Sequence, residues 1–444
     1  MTPDIPQRKA AFHTLGCKLN FAETSTIGKM LSERGFRRAL PEESPDICVV
    51  NTCSVTEMAD KKGRSLIRRL TRRWPDATMV VTGCYAQLKP EEVSALPGVD
   101  IVLGSNEKLL ISEYLDAWER DHSPIVESTR PMAITEFRPS CERGDRTRFW
   151  LKVQDGCDYF CTYCTIPYAR GRSRSGLTTD LVAQAGEAAA AGGKEIVLTG
   201  VNVGEFGRDT GESLLELLKA LDTVEGIERY RISSIEPNLL TEDILHWIAE
   251  ESRSFMPSFH IPLQSGSDKV LKLMNRRYDT ALFASRIEMI RRLIPDAFIG
   301  VDVIAGARGE TNEEWEKTLT FIESLDVTRL HVFPYSERPG TAALMMHAES
   351  VVPGVRHQRA ARLQRISDRK LSDFMESLRG ETRPVLWEHE LHDTEPGAPR
   401  MMSGLTDNYI RVSAPLREEL LNTVTPARLT GIDTDREETM TSLP

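Results

Sequence analysis

The chain is organised around the loop Cys157-Asp158-Tyr159-Phe160-Cys161-Thr162-Tyr163-Cys164, which comes shortly after the apolar run at residues 149–153. Three thiols at spacings of four and three residues can, as thiolates, hold one metal centre. A disulfide would leave one thiol unpaired, and a closed zinc site needs a fourth ligand that does not follow at the usual spacing. A 4Fe-4S cluster with one open iron needs only three thiolates. A zinc knuckle completed from elsewhere and reduced core cysteines are the alternatives.

The length and composition predict a multidomain, cytoplasmic protein. With 444 residues the chain is long enough for about three domains. Residues 1–11 lack the apolar segment of a signal peptide, and no apolar run is long enough to predict a membrane span. The eight cysteines are therefore expected in a reducing compartment, as ligands more often than as disulfides. The formal charge of -10 argues against indiscriminate coating of nucleic acid but allows a local basic face.

The N-terminal part alternates short apolar strands with helical segments, which is the pattern of an open, parallel α/β domain. Strands are predicted at residues 10–15, 47–51, 78–82 and 101–103. A cysteine follows each of the first three, namely Cys17, Cys53 and Cys84. Because the carboxyl ends of parallel strands meet at one edge of a sheet, these distant thiols are expected to converge into a second metal site. The alternative is three unrelated small residues in tight turns.

Two further cysteines have no partner at ligand spacing. Cys48 lies inside a predicted strand, and Cys141 lies in a predicted polar linker at residues 139–148. Both are therefore predicted to be structural.

A basic segment separates the second and third of these strands. It contains Lys61, Lys62, Arg64, Arg68, Arg69, Arg72 and Arg73 with no acidic residue between them. On a helix these side chains cover more than one face, while Leu66, Ile67 and Leu70 pack inward. The segment is either a solvated helix face or a track for an RNA backbone.

The part from about residue 145 to residue 370 has a longer α/β repeat. Strands are predicted at residues 149–153, 195–199, 230–233, 259–261, 298–303 and 329–333, with helices at 179–191, 214–221, 281–293 and 313–325. Six such units predict an open, partial (β/α)6 barrel. Since ligands bind at the carboxyl ends of barrel strands, the three-cysteine loop is expected at the mouth of this barrel.

Polar or glycine residues accompany four further barrel strand ends. They are Gly200 and Asn202, Ser234 and Glu236, His260 and Gln264, and Asp302. One such residue would mean little, because polar residues commonly end strands. Four successive strand ends on one rim predict a site for a polar ligand.

The C-terminal part changes character. A connecting helix is predicted at residues 355–378, and short strands at 384–387, 409–412 and 422–429 indicate a small β-barrel of a kind that binds oligonucleotides. Trp387 and Tyr409 are either core of this barrel or stacking platforms for bases. The acidic residues 433–438 are predicted to be disordered.

The spacing Cys157-x3-Cys161-x2-Cys164 resembles the signature of radical S-adenosylmethionine (SAM) enzymes. Together with the three strand-end cysteines, it resembles the methylthiotransferase branch over nearly the whole chain. The resemblance implies an N-terminal methylthiotransferase domain at 6–120 with an auxiliary 4Fe-4S cluster, a radical SAM domain at 143–375 and an RNA-binding, TRAM-like domain at 378–435.

The residues beside the N-terminal cysteines are similar to the MtaB-type enzymes, which methylthiolate N6-threonylcarbamoyladenosine next to the anticodon of bacterial tRNA. They are Thr14-Leu-Gly-Cys17-Lys-Leu-Asn20, Asn51-Thr-Cys53-Ser-Val-Thr56 and Gly83-Cys84-Tyr-Ala-Gln87. Enzymes that act on isopentenyladenosine-tRNA or on a ribosomal protein usually carry other residues here. Those two substrates, and a non-catalytic, metal-containing RNA-binding protein, are the alternatives.

The resemblance also implies the cofactors and their ligands. Cys157, Cys161 and Cys164 would hold the 4Fe-4S cluster that cleaves SAM, with Tyr163 beside the adenine of SAM. The other cofactor contacts are expected from Gly200, Asn202, Ser234, Glu236, Gln264 and Asp302. The auxiliary 4Fe-4S cluster, which carries the transferred sulfur, would be held by Cys17, Cys53 and Cys84.

The implied partners are the anticodon loop of tRNA, SAM, an electron donor such as a flavodoxin or ferredoxin, and a sulfur source, with no membrane. RNA contacts are expected from the C-terminal barrel and the basic segment, with further contacts from Arg170, Arg172 and Arg174. Loops of structured RNA are recognised by shape and stacking, which an acidic protein tolerates.

One stretch departs from the family pattern. The family usually has Gly-Phe-Pro-Gly-Glu-Thr after the fifth barrel strand, whereas this chain has Gly306-Ala307-Arg308-Gly309-Glu310-Thr311. The change puts the shape of this wall in question but leaves the cluster ligands intact. Arg308 is expected either to contact a phosphate or carboxylate or to lie exposed.

Overall fold

The computed structural model describes residues 7–143, 147–391, 399–433 and 438–442. The N-terminal part is one sheet flanked by helices. Its strands are β1 (Lys9–Thr14), β2 (Arg37–Arg38), β3 (Ile47–Thr52), β4 (Thr78–Gly83), β5 (Ile101–Leu103) and β6 (Ile125–Glu127). Its helices are α1 (Lys18–Glu33), α2 (Glu57–Arg73), α3 (Cys84–Leu88), α4 (Pro90–Ser94) and α5 (Ile111–Asp121). The strand order is β2-β1-β3-β4-β5-β6, and all neighbours are parallel.

Helices cover both faces of this sheet, which explains its apolar strands. Ile47 and Val49 of β3 share a core with α1 and α5, whereas Cys48 and Val50 share another core with α2 and α4. Strands buried on both faces have nearly continuous apolar sequences, so the sequence predicts β1, β3, β4 and β5. The edge strands β2 and β6 are not predicted, because they are only two and three residues long. β6 extends the sheet beyond residue 120.

The central part contains nine strands and eight helices among the described residues. The strands are β7 (Cys141–Arg143), β8 (Arg148–Lys152), β9 (Gln154–Asp155), β10 (Arg174–Ser175), β11 (Glu195–Thr199), β12 (Arg229–Ile232), β13 (Ser258–Gln264), β14 (Phe298–Ala305) and β15 (Arg329–Pro334). The helices are α6 (Ile166–Arg170), α7 (Thr178–Ala190), α8 (Leu214–Leu221), α9 (Glu242–Glu250), α10 (Asp268–Leu273), α11 (Thr280–Leu293), α12 (Asn312–Ser324) and α13 (Pro353–Ser377).

Six parallel strands surround the interior of the central part. β8, β11 and β12 belong to one sheet, and β13, β14 and β15 form another. A parallel bridge from Ser234, just after β12, to His260 of β13 joins the two sheets, and another links Tyr230 of β12 to Phe255, shortly before β13. The prediction of an open, partial (β/α)6 barrel is therefore confirmed.

β7 pairs antiparallel with β8 at the open edge of the barrel. Cys141 consequently lies in a strand, and its prediction as part of a polar linker was wrong. A three-residue edge strand is too short to produce a periodic sequence pattern.

The long helix α13 connects the central barrel to the C-terminal part. Leu363 and Ile366 of α13 pack in the barrel core, while Arg362, Arg365 and Arg369 lie on its exposed side. None of the described helices is long and apolar enough to cross a membrane.

The C-terminal part is a closed, five-stranded β-barrel. Its strands are β16 (Thr382–Leu391), β17 (Met401–Thr406), β18 (Arg411–Pro415), β19 (Val424–Asp433) and β20 (Glu438–Ser442), in the order β16-β17-β18-β20-β19. Trp387 is fully buried in its core, so this tryptophan is not a stacking platform. Asp433 and Glu438 are strand residues, and the rest of the predicted disordered segment, 434–437, lies outside the described residues.

Two arginines of β12 attach the C-terminal barrel to the central one. Arg229 donates to the carbonyl oxygen of Leu405 at 2.9 Å, and Arg231 donates to that of Thr406 at 2.9 Å. The guanidinium of Arg231 also lies 5.0 Å from the ring of Tyr409. These contacts bring the turn that carries Tyr409 to the interior of the central barrel.

Candidate active site

The three strand-end cysteines follow neighbouring strands of the N-terminal sheet. The ends of β1, β3 and β4 are in register within one residue, so these strands end at the same level. Gly16 allows its loop to approach the loop after β3, because a Cβ there would lie 2.7 Å from the Cβ of Cys53. The structure thus brings together the loops that carry Cys17, Cys53 and Cys84.

Side-chain amides and a glycine fix the geometry of these loops. Asn20 donates to the carbonyl oxygen of Thr52 at 3.0 Å, and Asn51 donates to that of Asn20 at 3.0 Å. Gly83 has a φ of 95°, and a Cβ there would lie 2.3 Å from the carbonyl oxygen of Thr52. A larger residue would therefore displace the strand end that precedes Cys84.

A buried ionic cluster lies between the N-terminal sheet and the central barrel. Its members are Glu23, Lys108, Lys152, Asp155, Arg170 and Arg174. Arg170 contacts Glu23 and Asp155, each at 3.0 Å, and donates to the side-chain oxygen of Asn20 at 2.7 Å. Four cations face two carboxylates, so the cluster has a formal excess of two positive charges.

This excess charge acts on the neighbouring thiols. Burial raises the pKa of Cys53 to about 12 and also raises the pKa of Cys84. Arg170 opposes the effect of burial at both thiols, and Lys108 opposes it at Cys84. Cations beside a thiol favour the thiolate, which is the form that binds metal.

The central three-cysteine loop is closed by β9 and β10, which pair antiparallel at its two ends. Gly156 has a φ of 70°, and a Cβ there would lie 1.9 Å from the carbonyl oxygen of Arg172. Gln154 accepts a hydrogen bond from the main-chain N–H of Asn202 at 3.0 Å, which connects this loop to the end of β11. All three cysteines of the loop are buried or half-buried.

Arg276 is a site residue that the sequence does not predict. It donates to the sulfur of Cys161 at 3.0 Å and forms an ion pair with Glu236. Burial raises the pKa of Cys161 and that of Glu236. The charge of Arg276 acts in the opposite direction and lowers the pKa of both groups. Arg276 lies 115 residues after Cys161, and no local motif connects them. A guanidinium in this position stabilises negative charge on the sulfur.

The spacing of the thiols does not match the compact geometry of a single zinc ion. Among the described residues, only His260, Asp302 and His331 bring three metal-binding atoms within 4.8 Å of one another. Neither cysteine triad does so, although a zinc ion with Zn–S bonds of about 2.3 Å would require it. In a 4Fe-4S cluster each thiolate binds its own iron, so the sulfurs lie further apart.

The group of His260, Asp302 and His331 lies in the barrel interior. Nε2 of His260 is 2.7 Å from Oδ1 of Asp302, and the two histidine rings meet edge to face at 5.0 Å. Burial and then the charge of His260 lower the pKa of His331 to about 4. Asp302 is already hydrogen bonded to His260. Because of its lowered pKa, the imidazole of His331 is neutral near pH 7.

A cavity of about 470 Å³ lies where the three parts of the chain meet. Cys17 of the strand-end triad lines it, together with the predicted rim residues Gly200, Ser234 and Asp302. Tyr409 of the C-terminal barrel completes the wall. A cavity of this size accommodates a small organic ligand or a nucleobase.

The other predicted cofactor residues lie on different parts of the rim. Asn202 is buried, and both polar atoms of its side-chain amide lack a hydrogen-bond partner within the described part of the chain. Such orphaned groups are expected where a polar ligand binds, so Asn202 fits a contact to SAM. Glu236 pairs with Arg276, and Gln264 has a left-handed backbone with a φ of 67°.

The stretch that departs from the family pattern packs against the three-cysteine loop. Ala307 is buried in a small cluster with Tyr335, and Tyr163 packs against this cluster. Arg308 pairs with Glu337 at 3.2 Å and donates to the carbonyl oxygen of Ala348 at 3.1 Å. The expected carboxylate contact of Arg308 is therefore made within the protein.

The basic segment forms most of α2. Within the described residues no carboxylate pairs with Lys61, Lys62, Arg68, Arg69 or Arg72, all of which are exposed. Arg64 pairs with Glu92 at 2.9 Å. Ile67 and Leu70 are buried in the sheet core, as the sequence predicts.

The predicted RNA contacts of Arg170 and Arg174 were wrong, because both side chains are buried in the ionic cluster. Arg172 pairs with Asp158 at 3.4 Å, and its side chain is 64% exposed. Alternation of basic residues along a loop does not reveal which side chains face the interior.

Residues 151–322 match the Radical SAM superfamily, and residues 9–104 match the Uncharacterized protein family UPF0004. A radical S-adenosylmethionine methyltransferase, TsrM from Kitasatospora setae, has a similar fold, with a TM-score of 0.54 and 14% identity over 74% of both chains. The fold and the three-cysteine loop thus define a radical SAM protein with an added N-terminal domain.

Sequence relatives cover almost the whole chain. Threonylcarbamoyladenosine tRNA methylthiotransferase MtaB of Bacillus subtilis is 40% identical over 94% of this chain and 93% of its own length. The protein of that name from Aquifex aeolicus is 35% identical over 91% and 96%. A tRNA-2-methylthio-N(6)-dimethylallyladenosine synthase of Clostridium botulinum is 32% identical over 84% and 85%. The chain belongs to the radical SAM methylthiotransferase family, which implies SAM and a 4Fe-4S cluster.

Proposed function

We propose that this chain converts N6-threonylcarbamoyladenosine, next to the anticodon of tRNA, into its 2-methylthio derivative. The observation that carries this proposal is the base-sized cavity between the domains, whose wall contains Cys17 of the strand-end triad and the strand-end residues Gly200, Ser234 and Asp302 of the central barrel. The names of the Bacillus and Aquifex relatives support the choice of base.

Cys157, Cys161 and Cys164 would hold a 4Fe-4S cluster that supplies the electron for cleavage of SAM, and Cys17, Cys53 and Cys84 would hold a second cluster that supplies the sulfur of the methylthio group. The hydrogen on C2 of adenine is replaced by the methylthio group and leaves with the adenosyl fragment of SAM. Radical chemistry is required because this C–H bond has no usefully acidic proton.

Residues of the chain hold the groups in place for this reaction. Arg276 stabilises negative charge on Cys161, and the ionic cluster around Arg170 does the same for the strand-end thiols. Asn202 offers an unpaired amide to SAM. The target base leaves its stack and enters the cavity, as in other enzymes that modify bases.

The loops of the two triads are also in direct contact. Thr165, next to Cys164, donates to the carbonyl oxygen of Ser54, next to Cys53, at 3.4 Å. Arg338 donates to the hydroxyl of Ser54 at 2.7 Å and pairs with Asp60 at 2.8 Å. These contacts support a rigid distance between the two sites. A cytoplasmic flavodoxin or ferredoxin and a sulfur source complete the proposed system.

The proposed reaction is tested with protein reconstituted anaerobically with iron and sulfide. Three substrates are compared: an anticodon stem-loop RNA with N6-threonylcarbamoyladenosine, the same RNA with isopentenyladenosine, and purified ribosomal protein S12. Mass spectrometry of nucleosides and peptides is expected to show methylthio product on the first RNA alone. Product on either other substrate without product on the first would refute the proposal.

We further propose that α2 contacts the RNA backbone. Its cations run from Lys61 to Arg73, over roughly 18 Å of helix. Replacing Arg68, Arg69 and Arg72 with glutamine is expected to weaken binding of all tRNAs alike. The slope of log K against log salt should fall by about two to three units, because each lost phosphate contact removes about one.

The matched control for this variant is the same change of charge on another exposed helix. Arg362, Arg365 and Arg369 on α13 are also exposed, although Arg362 and Arg369 pair with Glu316 and Glu323. Their replacement with glutamine should leave affinity and salt slope nearly unchanged. Equal losses in the two triple variants would mean that α2 contributes only to the overall charge.

A further inference from the structure

The cavity beside Cys17 contains an unpaired cation. Lys18 lines it and makes no hydrogen bond or ion pair with the described residues. Arg231, the other cation of the wall, forms an ion pair with Glu195 at 2.9 Å and donates hydrogen bonds to carbonyl oxygens of the C-terminal barrel. Among the described residues, Asp302 is the only carboxylate that lines the wall, and it is hydrogen bonded to His260. The ammonium of Lys18 is therefore free to bind an anionic ligand.

A strained tyrosine faces the same space. Tyr409 has a φ of 68°, which a bulky side chain rarely adopts. Arg231 on one side and Phe298, with a ring distance of 5.6 Å, hold its ring in the wall of the cavity. Backbone strain of this kind persists where the surrounding structure enforces it, commonly at ligand sites. The charge of Lys18 is the largest influence on Tyr409, lowering its pKa to about 8 against the effect of burial.

The hydroxyl of Ser233 is a further polar group in the wall. The hydroxyl of Ser233 belongs to a residue that is 7% exposed, and it makes no hydrogen bond within the described part of the chain. A buried hydroxyl without a partner costs free energy, which a hydrogen-bonding ligand would recover. The rest of the wall includes apolar side chains such as Phe259 and Phe333.

We propose that Lys18, Tyr409 and Ser233 bind the threonylcarbamoyl group of the substrate base, with Lys18 contacting its free carboxylate. This inference rests on the proposed function. The threonylcarbamoyl group ends in a carboxylate and a hydroxyl, whereas a dimethylallyl group has no polar atom. A site built to bind polar atoms rejects an analogue that lacks them, because a buried polar group such as the hydroxyl of Ser233 would stay unpaired. These residues would thus select the modified base that is methylthiolated.

The test measures RNA binding, so it does not depend on turnover. Three anticodon stem-loops are compared, which carry N6-threonylcarbamoyladenosine, its neutral threoninamide analogue or plain adenosine. The wild-type protein is expected to bind the first about 10- to 100-fold more tightly than the second, the range of a charge-assisted hydrogen bond. In Lys18→Gln this ratio should fall to about one, whereas Lys18→Arg should keep most of it. An unchanged ratio in Lys18→Gln would overturn the inference.

Lys18 is adjacent to Cys17, so the iron content of each variant is measured alongside binding. If Lys18→Gln loses iron, the Ser233→Ala variant provides the test. It is expected to bind the first RNA about 3- to 10-fold more weakly than the wild type and the plain adenosine RNA equally well. Equal binding by Ser233→Ala and wild type would overturn the inference. A wild-type enzyme that forms no product on the first RNA would instead refute the proposed function.

Discussion

Replacing Cys53 with alanine is expected to abolish methylthio transfer while leaving reductive cleavage of SAM measurable. On the proposed assignment, Cys53 holds the auxiliary cluster, whereas SAM cleavage depends on the separate loop of Cys157, Cys161 and Cys164. The iron content should fall from about eight to about four per chain, because one of two 4Fe-4S clusters is lost. Nucleoside mass spectrometry, an assay for 5′-deoxyadenosine and iron analysis check the three parts of this result.

Cys48→Ala is the matched control for this variant. Cys48 lies five positions upstream on β3, and its side chain is buried in the sheet core and not at the strand end. This variant should keep its iron and its activity. Methylthio product from Cys53→Ala, or equal iron loss in both variants, would contradict the assignment of the auxiliary site.

Replacing Glu23 with glutamine is expected to lower the free energy of unfolding by about 3–5 kcal/mol, because it leaves buried cations without their counter-charge. Glu23 is fully buried and contacts Lys108, Lys152 and Arg170. Burial raises its pKa, but Arg170 and the two lysines outweigh burial and hold it well below the ordinary value. The stabilisation is thus present above the unfolded-state pKa of 4.5 and is lost as the pH falls below it.

Unfolding in urea, followed at several pH values, measures this effect. Glu119→Gln is the control, since Glu119 pairs with Arg8 at 2.6 Å on the surface, where both side chains are about a third or more exposed. Exposed pairs contribute less than about 1 kcal/mol, so this variant should unfold close to the wild type. Comparable shifts in the two variants would show that the ionic cluster is not stabilising.

The fold was largely predictable because its strands are buried. β3, β4 and β5 carry continuous apolar runs, and the predicted bounds of the strands and helices differ from the observed ones by a few residues at most. The prediction missed β17 and β20 of the C-terminal barrel, and it also missed β2, β6, β7, β9 and β10, each of which has only two or three residues. Such strands bury too little apolar surface to leave a pattern in the sequence.

Site residues were predictable only where they lie close together in the sequence or where the sheet topology brings strand ends to one edge. The central loop brings three thiols together within eight residues, and parallel strand ends bring Cys17, Cys53 and Cys84 to one edge. Arg276 and Lys18 have no comparable signal. Arg276 contacts Cys161 across 115 residues, and Lys18 is one lysine among many until the cavity shows it to be unpaired.

The sequence by itself therefore determined the two thiol triads, the three kinds of domain and the family, since these depend on residue types at fixed spacings and on hydrophobic periodicity. Only the tertiary structure decided which charged residues are available to a ligand. Arg170 and Arg174 form ion pairs with buried carboxylates, whereas Lys18 has no ion-pair partner among the described residues and lies near Tyr409. The physical reason is that the state of a charge depends on burial and on partners distant in sequence, which no local pattern encodes.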